Sequence, residues 1–451
     1  MMNLHEAARM LGASAPKTDA RIARVTTDSR SIQSGDLFVA LVGERFDGHD
    51  FAGAAQAAGA AGVVVARDLG IEPQLLVADT RRALGDLARA WRARFTLPLV
   101  AVTGSNGKTT VTQMLRAILS AHAGDAAFYT EGNFNNDIGL PLTLLRLRDW
   151  HRIGAVELGM NHPGEIATLA GIAAPTVALV NNAQREHQEF MHTVADVAAE
   201  NGAVFAHLAE GGVAVINADD AFAGYWRNQA RGREVVDFGL VTSADVTARF
   251  ELGLYGSHLE LMTPAGNVAT TLRIAGRHNV ANACAAAACA HAAGVPPAAI
   301  AQGLGAFLPA SGRMQKKQGC GGAVVLDDSY NANPDSVRAA VDVLAAIGGT
   351  RVLVLGRMGE VGDRGPEFHR EVGAYARERG IDRLLALGQE TAPAVDGFGA
   401  GAERFLQVEA VNEAALRLAR PGTTFLVKGS RSARMERVVA ALTGAAMERA
   451  H

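Results

Sequence analysis

The stretch LPLVAVTGSNGKTTVTQML, residues 97 to 115, runs from an apolar segment through a glycine loop into helical spacing. Residues 97–103 read as a buried strand, and Val111, Met114, Leu115, Ile118 and Leu119 recur on one helical face. A loop between a strand end and a helix N-terminus gathers anions, because its backbone N–H groups point inward and the helix dipole adds positive potential. Gly104, Ser105, Asn106, Gly107, Lys108, Thr109 and Thr110 span that loop. Lys108 would reach the outer phosphates of a nucleotide, and the Thr109 hydroxyl suits Mg²⁺. The usual spacing G-x-x-x-x-G-K-[ST] is shortened to G-x-x-G-K-T, with Val102 where the first glycine would stand. The alternative is an ordinary glycine turn with a solvated lysine.

The chain has 451 residues, enough for about three domains. Hydrophobic content of 49% allows packed cores, and a formal net charge of -3 leaves no global footprint for nucleic acid. MMNLHEAARMLGA at the start lacks a cationic region followed by an apolar one, so no signal peptide is expected. Apolar runs are broken well before the about 18 residues a membrane span needs. A cytoplasmic chain without membrane insertion is the expectation. Cys284, Cys289 and Cys320 have no zinc-site spacing, and buried thiols are the simpler reading.

Outward from the loop, IGAVELGM, TVALVNNA and GVAVINA also end at polar loops, as do AVVLDDS, RVLVLGR, RLLALG and TFLVKGS further on. This alternation predicts α/β units with mainly parallel sheets whose ligands gather beyond the strand C-terminal ends. The expected organisation is residues 1–95, 96–310 and 311–451, with QKKQGCGG (315–322) as a hinge candidate. Glu157 ends a strand beside the phosphate loop, where a carboxylate can hold a nucleotide's Mg²⁺. His187, in NNAQREHQEF, is a candidate metal ligand or phosphate donor; an incidental loop histidine is the alternative. Asn279 and Asn282 would contact an adenine edge or simply cap a helix. Asp328, Tyr330, Asn331 and Asn333 crowd one loop, and Lys428, Ser430 and Arg431 another, the latter suited to an anion.

TGSNGKTT, GNFNNDIGLPLTLL, ELGMNHPGEIATLA, GRHNVANA, DDSYNANPDSVRAA and VKGSRSARMERV follow the order seen in the Mur ligases, which this chain resembles from about residue 26 to 438. YNANP and ELGMNHPGEI resemble the branch that attaches a dipeptide. The resemblance implies a three-domain architecture: a UDP-substrate domain, a central P-loop ATPase domain, and a Rossmann-like C-terminal domain. It implies ATP and Mg²⁺, with UDP-N-acetylmuramoyl-tripeptide and D-Ala-D-Ala as the molecules joined by an amide bond in a monomer. Ser29 and Arg30 would meet the UDP end, and Asn135 and Asn136 the muramoyl peptide. Arg313, Asp328, Tyr330, Asn331 and Asn333 would close over nucleotide and dipeptide, Asn279 and Asn282 would face the nucleotide, and Glu157 and His187 would be metal ligands.

Two departures stand out. The family's modified lysine falls on Asn201, and Lys108 is the sole lysine between residues 96 and 310, so Asn201 is expected as a neutral ligand or water-binding group at a second metal site. Arg357 stands where an aspartate is frequent. Other readings are a nucleotide-dependent switch, a ligase adding a single amino acid, and a small-molecule kinase. Lys108→Ala should lower turnover at least about 10²-fold, as loss of one charge-stabilising donor does; near-normal turnover would sink the phosphate-loop reading.

Overall fold

The computed structural model describes residues 1–445; the last six residues of the expected third unit lie outside them. The strand Leu99–Thr103 is entirely buried and stands inside a six-stranded parallel sheet, between Val177–Val180 and Ile153–Glu157. The sheet continues to Val213–Asn217 and Glu234–Phe238 on one side and to Ala127–Tyr129 on the other. Successive connections leave Leu99–Thr103 toward opposite sides, so the crevice at its C-terminal end is the switch point where an open parallel sheet takes its ligand.

The helix Lys108–Ala123 follows the loop directly, and Val111, Met114, Leu115, Ile118 and Leu119 are fully buried as their spacing predicts. Each such side chain contributes about 1.5–3 kcal/mol by leaving water. Behind it lies Arg277–Ala292, whose run from Ala283 to Ala290 is buried all round. Small side chains let this helix be covered on every face. Cys284 and Cys289 are part of that run, and burial pushes the Cys284 thiol up to about 12. They are inert packing groups.

Residues 96–310 also contain an antiparallel sheet, Thr247–Leu252, Ser257–Thr263 and Gly266–Leu272, which the parallel expectation did not include. Its signal is a period of two: Ser257, Leu259, Leu261 and Thr263 are buried while His258 and Glu260 are exposed. The N-terminal part holds four parallel strands, Arg24–Thr26, Asp36–Val39, Gly62–Val65 and Gln74–Leu76. Helix Thr80–Arg92 then ties this part to the central sheet, its Trp91 Nε1–H donating to the Leu147 carbonyl at 3.2 Å.

Past residue 311 a second six-stranded sheet runs in the order Gln315–Gln318, Val324–Asp328, Thr423–Lys428, Thr350–Gly356, Arg383–Leu387, Ala402–Phe405. All pairs are parallel except the first. Within the expected hinge at 315–322, Gln315–Gln318 is an edge strand that gives its backbone groups to Val324–Asp328, and Lys317 pairs with Asp327 at 2.8 Å. One buried apolar cluster runs from Val100 through Val280 to Leu426, so the central and C-terminal sheets share a core. No helix among the described residues is long and apolar enough to cross a membrane.

Helix Pro297–Ala306 crosses the phosphate-loop helix at Gly303, where a Cβ would lie 2.3 Å from the Ile118 Cα. Gly303→Ala should therefore destabilise the fold by about 1–3 kcal/mol through overpacking, read as an earlier midpoint in urea unfolding. An unchanged midpoint would mean that the helices part freely.

Candidate active site

A cleft of about 2070 Å³ opens between the ends of the two six-stranded sheets, lined by the phosphate loop, Glu157 and loops from beyond residue 311. Ser105, Asn106, Gly107, Lys108 and Thr109 line it. The loop is held tightly from behind. Gly104 and Gly107 have φ of 130° and 85°, and a Cβ on Gly107 would stand 2.4 Å from Asn282 Oδ1 and 2.6 Å from Asn181 Nδ2. Glycine is required there on both counts.

Asn279 and Asn282, expected to face the nucleotide, are buried behind the loop and do not line the cleft. Asn181 Nδ2 donates to the Asn106 carbonyl (2.8 Å) and to Asn282 Oδ1 (3.0 Å), Asn282 donates to Asn279 Oδ1 (3.1 Å), and Asn279 donates to the Ala275 carbonyl (2.7 Å). This buried amide chain supports the loop. Asn182 adds to it, accepting from the Asn106 N–H at 2.8 Å. The polar pair after TVALV was a usable signal for this, since it leaves the sheet at the same edge as the loop.

Asn201 is also turned inward. Its side chain is 0% exposed, with Oδ1 accepting from the Thr103 hydroxyl at 2.6 Å and Nδ2 donating to the Val197 carbonyl at 3.0 Å. Both ends of the amide expected at a second metal site are engaged under the strand that carries the loop.

Glu157 is 2% exposed and accepts from Asn135 Nδ2 at 2.8 Å and from the Thr109 hydroxyl at 3.3 Å. Asn136 accepts from the Gly139 N–H at 2.8 Å, at the start of the short helix Gly139–Leu144, and lines the cleft. Arg313 Nη2 donates to Thr109 Oγ1 at 3.2 Å and its guanidinium lies 4.1 Å from the centre of the Tyr330 ring. Asn333 Nδ2 donates to Asn106 Oδ1 at 2.9 Å while Asn333 caps helix Pro334–Ala345. Tyr330, Asn331 and Asn333 all line the cleft. Asp328 does not line the cleft: it accepts from the Lys428 ammonium at 2.5 Å and the Met314 N–H at 3.0 Å, serving as counter-ion beneath it. Arg357 lines the cleft and donates to Ser432 Oγ at 2.7 Å. Ser29 and Arg30 lie on the turn Ser29–Ser31 outside this cleft, with Arg30 paired to Asp28 at 2.8 Å.

The sequence reading missed Glu186 and Glu360. Lys108 Nζ donates to the Gly104 and Ser105 carbonyls at 2.6 and 3.2 Å and to Glu186 Oε1 at 3.0 Å. His187, at φ 49°, lies 3.4 Å from Glu186 through Nε2 and 2.5 Å from Glu360 through Nδ1, the latter without hydrogen-bond alignment. Burial opposes protonation of this ring, but the two carboxylates outweigh it and raise its pKa to about 9. Set between two carboxylates, the ring favours its protonated form, the state in which it offers no lone pair to a metal. Among the described residues no three His, Cys, Asp or Glu side chains are grouped to hold a metal. Thr109 and Glu157 fit a hard cation that takes few protein oxygens and completes its shell with phosphates and water.

Residues 21–92 match the family description "Mur ligase family, catalytic domain", 102–290 "Mur ligase middle domain", and 312–431 "Mur ligase, glutamate ligase domain". UDP-N-acetylmuramoyl-tripeptide–D-alanyl-D-alanine ligase of Escherichia coli (strain K12) is 44% identical over 428 residues, covering 94% of each chain. The enzyme of the same name from Bacillus subtilis (strain 168) is 32% identical over 429 residues, covering 92% of each. A crystal structure of MurF from Acinetobacter baumannii superposes with a TM-score of 0.92 at 36% identity, over 97% of this chain and 98% of that one. The MurF ligase of Thermotoga maritima in complex with ADP superposes with a TM-score of 0.82 at 27% identity, over 93% and 96%.

The His187 cluster sets a pH dependence. The folded-state pKa lies above the ordinary value of about 6.5, so the stabilisation is fully present below about 6.5 and fades as pH rises through about 9. Ring titration by NMR should give that elevated midpoint, and His187→Gln should flatten the stability slope between those limits. A midpoint near 6.5 would show that the carboxylates do not hold the ring.

Proposed function

The chain belongs to the Mur ligase family, and on that premise we propose that it joins D-alanyl-D-alanine to UDP-N-acetylmuramoyl-tripeptide, converting ATP to ADP and phosphate, and makes the pentapeptide precursor of peptidoglycan. The observation that carries this reading is the joining of the phosphate loop to the C-terminal sheet, Asn333 bonding Asn106 and Arg313 bonding Thr109, beside the paired Thr109 and Glu157. An ATP site that is completed by a second unit suits a reaction that brings an acceptor to an activated donor.

In this proposal residues 1–95 hold the UDP end through Ser29 and Arg30, residues 96–310 hold ATP, and residues 311–451 bring the dipeptide. The tripeptide's terminal carboxylate, positioned by Asn135 and Asn136, attacks the γ-phosphorus of ATP; the bond to ADP breaks and an acyl phosphate forms. The dipeptide amine then attacks the acyl carbon, a tetrahedral intermediate collapses, and phosphate and one proton leave. Lys108 exchanges Glu186 for the transferred phosphoryl group, whose negative charge it stabilises, and His187 adds a second positive charge nearby. Thr109 and Glu157 would hold Mg²⁺, which when bound neutralises charge between the outer phosphates. Tyr330, Asn331 and Arg313 exclude water from the acyl phosphate and orient the acceptor. The enzyme works as a cytoplasmic monomer on these small molecules.

Phosphate release from Mg-ATP should require the UDP-tripeptide and the dipeptide together, with a product heavier by the dipeptide minus water. Release indifferent to both would favour a nucleotide switch, and a stable phosphorylated product without an amide would favour a kinase.

A further inference from the structure

Most ties between the phosphate-loop region and the C-terminal sheet use groups that line the cleft: Asn106 with Asn333, Thr109 with Arg313, His187 with Glu360, and the Glu189 N–H with the Glu360 carbonyl. Arg185 is different. It sits one residue before Glu186, but neither it nor its partners Asp335 and Glu371 line the cleft. Its Nη2 donates to Asp335 Oδ1 at 2.6 Å and its Nη1 to Glu371 Oε2 at 2.6 Å, while its backbone N–H donates to Asp335 Oδ2 at 2.9 Å. The guanidinium lies 5.3 Å from the centre of the Phe368 ring, and Arg338 braces Glu371 from behind at 2.8 Å.

Exposed ion pairs usually contribute little. This one is 22% exposed on the arginine and 24% and 29% on the carboxylates, and a planar fork filled by two carboxylates has directionality that a single pair lacks. Asp335 lies in the first turn of helix Pro334–Ala345, where the dipole favours a carboxylate, and the cap of that helix is Asn333, which bonds Asn106. A shift at Asp335 is therefore carried to the phosphate loop.

We propose that Arg185 is a positioning residue, a latch outside the cleft that holds the C-terminal sheet over the phosphate loop and keeps Glu186 and His187 set against Lys108. Its kinetic readout rests on the dipeptide-ligase reading. Its structural readout does not.

The test compares wild type with Arg185→Ala, Arg185→Lys and Glu371→Gln, at saturating ATP and UDP-tripeptide with D-Ala-D-Ala varied. Arg185→Ala should raise the KM for the dipeptide roughly tenfold, the scale of one lost charge-assisted contact. The ADP dissociation constant should change far less than the dipeptide KM. Arg185→Lys should recover only part of the loss, since it restores charge without the fork. Glu371→Gln should shift the same KM in the same direction without altering the 184–187 loop itself. Added salt should raise the wild-type KM toward that of Arg185→Ala while leaving the variant's own KM in place. Small-angle scattering should give Arg185→Ala a larger radius of gyration. Unchanged KM and radius would overturn the latch, as would an equal rise in every KM and in the ADP constant with a lower melting temperature, which marks a merely structural role. Absence of dipeptide joining by wild type would sink the ligase reading and leave scattering and ADP binding to judge the latch.

Discussion

Asn181 and Asn282 lie so close behind residue 107 that a single hydrogen is all the space admits, and the placing of the whole site follows from that contact. The loop crosses their amides with its own carbonyl at Asn106 accepting from Asn181, and its N–H at the same residue donating to Asn182. A loop fixed by buried hydrogen bonds presents its outward N–H groups in one geometry, which is what preorganised binding of an oxyanion needs. Asn201 extends the same support to Thr103, the last residue of the strand before the loop. These amides are neutral, so they position the loop without adding a buried charge that would need its own partner.

Charge is concentrated in front of the loop, and there Lys108 and His187 alternate with carboxylates. Lys108 and Glu186, with side chains 13% and 9% exposed, form a pair that continues through His187 to Glu360. Burying such groups singly would be prohibitive, and burying them as an alternating chain lowers the penalty but leaves it substantial. The arrangement makes sense at a site that must accept a polyanion: Lys108 and His187 are already charged, and incoming phosphate oxygens meet cations whose dehydration has taken place on folding.

The two large sheets share one apolar core yet meet at the cleft through polar contacts alone, Asn106 to Asn333 and Thr109 to Arg313. This division is physical. Apolar packing fixes the overall approach of the sheets, whereas hydrogen bonds that substrates also need can be made and broken at modest cost. Arg185 stands apart from both, a charged contact outside the cleft joined to it only along the chain and through Asn333.

The amino-acid sequence by itself determined the phosphate loop, the parallel sheets, Glu157 beside the loop, and the polar loop at Tyr330, Asn331 and Asn333. Each of these follows from local order, since a strand, a loop and a helix in succession bring the loop to the sheet's C-terminal edge wherever the chain then goes. Tertiary structure decided what depends on side-chain direction and on partners far along the chain. Asn279 and Asn282 face the back of the loop, Asn201 points into the core, Asp328 answers Lys428 across 100 positions, and His187 meets Glu360 and becomes a cation. The antiparallel sheet belongs to the same group: its alternation was readable, but its docking on an alanine-rich helix was not. An asparagine or histidine reads alike in sequence whether it faces a ligand or a neighbour, because its identity sets what it can bond and only the packed fold sets what it meets.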